Sequence, residues 1–88
     1  MWRQVNQGEG RTVDDELVSK QVQVERKTFS FTLKQNPRGR FLRITEDVNG
    51  HRDTVIIPST GLSEVRTVID QMIAADQTAG DAPPAAQL

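Results

Sequence analysis

The chain contains no cysteine and only one histidine. The first absence excludes disulfide staples. Together they leave too few nitrogen and sulfur ligands for a structural zinc site. A cysteine-free composition agrees with a reducing compartment. No apolar run is long enough to span a bilayer. The opening stretch, MWRQVNQGEGRTVDD, holds no apolar core of the kind a secretory leader needs. The expectation is a cytoplasmic protein with no membrane segment, no metal and no cofactor.

What remains is a chain of 88 residues, enough for one small domain. Residues 1–15 are polar and interrupted by glycine, and residues 76–88 offer almost nothing large to bury. Both are expected to be flexible, leaving 16–75 as the folded segment. A domain of that size buries a modest share of its surface. With disulfides and metals excluded, association between copies is the remaining support.

The net charge of −1 hides an uneven distribution. Residues 1–19 set Arg3 and Arg11 against Glu9, Asp14, Asp15 and Glu16, a net −2. Residues 20–52 carry Lys20, Arg26, Lys27, Lys34, Arg38, Arg40, Arg43 and Arg52 against Glu25, Glu46 and Asp47, a net +5. Residues 53–88 return to −4. Positive charge is concentrated in the middle of the chain, where a polyanion would bind.

Apolar and polar residues alternate through LVSKQVQV (17–24), TFSFTLKQ (28–35), RFLRITE (40–46) and TVIIP (54–58), the period of half-buried strands. ERK at 25–27, NPRG at 36–39 and the Asn49-Gly50 pair read as turns. Leu62, Val65, Val68, Ile69, Met72 and Ile73 then recur at helical spacing, with Ser59 or Thr60 as expected N-cap and fraying near Ala74–Asp76. The prediction is an α+β fold: a four-stranded antiparallel meander with one helix laid on it.

One face of this sheet would carry Val22, Val24, Phe29, Phe31, Leu33, Leu42, Ile44, Val55 and Ile57. A helix about 10 Å wide cannot cover four strands spaced about 4.8 Å apart. A second copy would cover the rest, so a homodimer is expected. The opposite face would carry Gln21, Gln23, Ser30, Thr32, Lys34, Phe41, Arg43, Thr45, Thr54 and Ile56, with Arg26, Lys27, Arg38 and Arg40 in the adjoining turns. Cations for phosphates, a ring for stacking and amides for base edges are what an unpaired nucleic acid requires. The plainer alternative is the polar outer face of any one-sided sheet, with Phe41 in ordinary cross-strand packing.

Glu16 through Glu46, followed by EVRTVIDQMI, resembles the PUR repeat of the Pur-alpha family of purine-rich-element binding proteins. KQNPRGRFLRI (34–44) carries the most specific part of the likeness. The resemblance implies a ββββα repeat, two copies of which intertwine into a Whirly-like PUR domain. A single repeat in a chain is similar to bacterial members, which dimerise, and implies a bacterial cytoplasm or nucleoid. It further implies binding of single-stranded DNA and RNA, with a leaning to purine-rich, G-containing sequence and an ability to separate strands. Carried over by motif, Phe41 would stack, Lys34, Asn36 and Arg38 would contact bases or backbone, and Lys27 would meet phosphate. By their charge and place on the polar face and its turns, Arg43 would join the base or backbone contacts, and Arg26 and Arg52 would meet phosphate. Four positions depart from the family pattern: Glu25 and Arg26 in the first turn, Ser30 where the family often has a larger residue, and Thr54 in place of a strand-four arginine, with Arg52 two residues earlier. The rival reading is a dimeric protein-interaction module of the same fold. An enzyme acting on a small-molecule substrate is not expected. His51 lacks a nucleophile to partner, and Asp14, Asp15 and Glu16 are read as solvated residues ahead of the fold.

Overall fold

The computed structural model describes residues 14–81. Four strands follow one another: β1 (Asp15–Val24), β2 (Lys27–Asn36), β3 (Gly39–Val48) and β4 (His51–Pro58). A 3-10 turn over Ser59–Gly61 leads into one helix, α1 (Leu62–Thr78). The strands pair antiparallel in the order β1-β2-β3-β4, an open meander. The expected ββββα order forms. The expectations for residues 1–13 and for 82–88 lie outside the described residues.

The turns explain the regularity. Asn49 and Gly50 both have positive φ, 53° and 86°, the type I′ geometry whose twist matches the flanking strands. Gly50 N donates to Asp47 Oδ1 at 3.1 Å, closing the turn. Pairing therefore runs up to the turn, with Val48 opposite His51. Strands β3 and β4 are longer than their apolar cores predict for this reason, and His51 is a strand residue rather than a turn residue. At the β1–β2 turn Glu25 takes φ 55° without being glycine, a conformation that costs an L-residue roughly 1–2 kcal/mol.

Register sorts the side chains. Across the sheet, Val18, Leu33, Leu42 and Ile57 form one row, and Lys20, Phe31, Ile44 and Val55 the next. This is the apolar face the sequence predicts, extended by Val18. An irregularity between Glu16 and Val18 shifts the β1 register by one residue, which brings Val18 into phase with Leu33. The apolar row pattern ends at Val22, Phe29, Glu46 and Asp53, where two carboxylates take over.

The helix departs from expectation in three ways. Its N-cap is Gly61 with no side-chain cap, because Ser59 and Thr60 are taken up in the 3-10 turn. It runs on to Thr78, whose hydroxyl donates to the Ala74 carbonyl at 3.0 Å. The helix then ends, with Ala79 as its C-cap and Gly80 turning to φ 85°. Most important, α1 does not lie across its own sheet. Its first turn flanks Ile57 at a shallow groove lined by Gly61, Val65, Val68 and Ile69, and the rest of its apolar stripe is bare. Val68, Ile69, Met72 and Ile73 remain 50–59% exposed.

Among the described residues no hydrophobic side chain is buried. Both halves of a core are present, a sheet face and a helix stripe, but they do not meet within one chain. No helix among the described residues is long and apolar enough to cross a membrane.

Gly50→Ala should lower stability by roughly 1 kcal/mol, because an L side chain at this positive φ is strained. A urea titration checks this, and an unchanged midpoint would contradict the turn assignment.

Candidate nucleic-acid interface

The polar face is built from four cross-strand rows. Glu16, Lys34, Phe41 and Pro58 lie in the first. Ser19, Thr32, Arg43 and Ile56 form the second, and Gln21, Ser30, Thr45 and Thr54 the third. Gln23, Thr28, Asp47 and Arg52 form the fourth. Rows two residues apart along a strand are separated by about 7 Å, so the outer two lie roughly 20 Å apart. The middle rows are partly self-satisfied: Ser19 Oγ lies 3.2 Å from Thr32 Oγ1, and Thr45 Oγ1 lies 3.2 Å from Thr54 Oγ1.

At the first row Phe41 stands on the outer face, half-buried, with Lys34 and Pro58 as its cross-strand neighbours. It is not tucked among the apolar residues of the other face. Arg43, two residues on, is exposed. Ile56, paired with Arg43, is 53% exposed. Ring, isoleucine and guanidinium thus sit side by side on neighbouring strands.

The β2–β3 turn supplies the rest of this end. Pro37 presets φ for the turn, and Gly39 adopts φ 142°, where glycine is favoured. Asn36 Oδ1 accepts a hydrogen bond from the Arg38 backbone N–H at 2.9 Å, an Asx-type closure. One lone pair of the side-chain carbonyl is thus used to hold the turn, and the other stays open to a further donor. Arg38 is exposed at the tip. Among the described residues no carboxylate lies within ion-pairing reach of Arg38 or Arg43.

The candidate residues do not all converge. Lys34, Asn36, Arg38, Phe41 and Arg43 gather at one end of the sheet. Arg52 lies on the same face but in the far row, 73% exposed, with Nε 3.1 Å from Asp47 Oδ2. Arg26 lies in the β1–β2 turn at that far end and is exposed. Lys27 is in phase with Phe29 and Phe31, so it belongs to the apolar side. Its Nζ lies 2.6 Å from Glu46 Oε2. Arg40 is in phase with Leu42, and its Nε donates to Gln35 Oε1 at 3.2 Å.

One residue takes a place that sequence reasoning did not assign to it. Asp14, read above as solvated chain ahead of the fold, reaches the β2–β3 end. Its Oδ1 accepts from Asn36 Nδ2 at 3.1 Å, and its Oδ2 lies 4.0 Å from Lys34 Nζ. Asp15 and Glu16 are strand residues, opposite Gln35 and Lys34. Only the β1–β2 pairing, distant in sequence, carries the signal.

Residues 3–85 match the PurA family, described as PurA ssDNA and RNA-binding protein. The chain belongs to this family. Binding of single-stranded DNA and RNA is thus the function of its family, and the polar face has the groups for it. The chain is similar to "Transcription factor Pur-alpha 1" of Arabidopsis thaliana, with 58% identity over 50 residues, 57% of this chain and 17% of the relative. It is also similar to "Transcriptional activator plp-1" of Caenorhabditis elegans, with 35% identity over 71 residues, 76% of this chain and 31% of the relative. The chain therefore spans less than a third of the length of these curated relatives, both eukaryotic.

Asn36→Ala should lower stability by about 1 kcal/mol through loss of the turn closure. Thermal or chemical denaturation reads this directly, and full retention of stability would show that Pro37 and Gly39 suffice.

Proposed function

We propose that this chain binds single-stranded DNA or RNA on the polar face of its sheet, as a homodimer and without catalysing a reaction. The observation that carries the reading is the first pair of rows. A half-buried aromatic ring stands on a polar face beside an exposed arginine that has no carboxylate partner among the described residues. The ring offers stacking to any base, and Arg43 and Arg38 offer charge to the backbone. Hydroxyls and amides of Ser30, Gln21 and Gln23 continue the track toward Arg52. In this reading Lys34 and Asn36 serve the bound end of the strand and Arg26 borders the far end, while Lys27, on the apolar side and paired with Glu46, lies off the track.

A leaning toward purine-rich, G-containing sequence, strand separation and a part in transcriptional regulation belong to the same proposal. Support for the last comes from the names of the two relatives. A place in the cytoplasm or nucleoid is a further part of it.

The dimer is supported by the bare apolar surfaces. Val22, Val24 and Val55 on the sheet are 47–55% exposed, and Ile69 and Met72 on the helix are 52% and 59% exposed. Leaving such surface in water forgoes about 25 cal/mol per Å². A second copy offers a matching helix stripe and sheet face. Among the described residues no group of three histidine, aspartate or glutamate side chains converges as a metal site.

Fluorescence anisotropy with a G-rich single strand, its RNA counterpart and the corresponding duplex tests the proposal. Single strands should bind more tightly than duplex, and absence of binding to either single strand would overturn it. Phe41→Ala should weaken binding by roughly 1–3 kcal/mol, about 5- to 150-fold, while the fold is retained by circular dichroism. Ile69→Asp should abolish the dimer in light scattering. A wild-type chain that is a stable monomer at micromolar concentration would refute the homodimer.

A further inference from the structure

Lys34 is the most shielded of the cations at the candidate site, with its side chain 18% exposed. At the Phe41 end it is also the cation with acidic residues alongside. Asp14 Oδ2 lies 4.0 Å from its Nζ, and Glu16 lies directly opposite it across the β1–β2 pair. The same Asp14 carboxylate holds Asn36 Nδ2 at 3.1 Å. Thus the β1 side of the site is electrically balanced or negative. The β3 side, with Arg38 and Arg43, carries positive charge that no described carboxylate offsets.

A phosphate that reaches Lys34 also comes close to the Asp14 carboxylate, 4.0 Å from the ammonium, and like charges at such range repel. A base edge faces no such barrier, since it presents neutral donors and acceptors to the lysine ammonium and the carboxylate oxygens together. We propose that Asp14 is a specificity-determining residue of this site. It neutralises Lys34 and confines the phosphate backbone to the Arg38–Arg43 side, leaving the Lys34–Asn36 end to base edges. This rests on the nucleic-acid reading of the polar face and assigns separate tasks to cations that the sequence treats alike.

The salt dependence of affinity separates the two tasks, because only phosphate neutralisation releases counterions. Each phosphate contact to a single strand contributes about 0.7 to the slope of log K against log salt. The experiment is an anisotropy titration of a G-containing single-stranded DNA at several salt concentrations, with the wild type, Lys34→Ala, Arg43→Ala, Asp14→Asn and Asp14→Ala. Lys34→Ala should weaken binding severalfold and leave the slope unchanged. Arg43→Ala should reduce the slope by about 0.7. Both Asp14 variants should bind more tightly at low salt and steepen the slope by about 0.7, as Lys34 becomes free to meet a phosphate. A reduced slope for Lys34→Ala, or unaltered slopes for both folded Asp14 variants, would overturn the assignment while leaving nucleic-acid binding intact. Failure of wild type and all variants to bind would overturn both.

Discussion

The β2–β3 register is the constraint on which the rest depends. Asn36 opposite Gly39 starts a ladder in which Leu33 meets Leu42 and Lys34 meets Phe41. Because side chains alternate with period two, a slip of one residue would send Phe41 and Arg43 to the apolar side and Leu42 and Ile44 into water. The turn prevents that slip. Its Asx closure by Asn36, the fixed φ of Pro37 and the positive φ of Gly39 admit one loop length. A local feature of four residues therefore decides which face is greasy and which can meet a nucleic acid.

The two faces are at different stages of completion within one chain. The polar face is already assembled, with hydroxyl pairs, an ion pair at Arg52 and a ring set between Lys34 and Pro58. The apolar face is not, because the helix that could cover it points its stripe elsewhere. The homodimer proposed above would make the sheet's stability depend on concentration, and so couple binding to assembly through the shared strands.

Electrostatics refine this division. The central excess of positive charge seen along the chain does not become one basic patch. Lys27 and Arg52 are spent on Glu46 and Asp47, and Lys34 faces Asp14. What remains open toward solvent at the Phe41 end is Arg38 and Arg43. Counting charges along the sequence overstates the basic surface, since pairing partners come from other strands.

Much of the fold was legible from residues alone. Alternation in TFSFTLKQ and RFLRITE, the NPRG and Asn49-Gly50 turns, and the helical spacing from Leu62 to Ile73 all report local physics, and each element formed there, with β3, β4 and the helix running longer than indicated. Phe41 and Arg43 could be set on the outer face by the same period-two argument. Non-local pairing decided the rest. The shift between Glu16 and Val18, the capture of Asn36 by Asp14 and the Lys27–Glu46 pair involve partners many residues apart, and the helix stands off its sheet. Sequence determines the period and the turns because those depend on neighbours. Tertiary structure alone determines which charges cancel and which surfaces stay bare, because those depend on what the chain brings alongside.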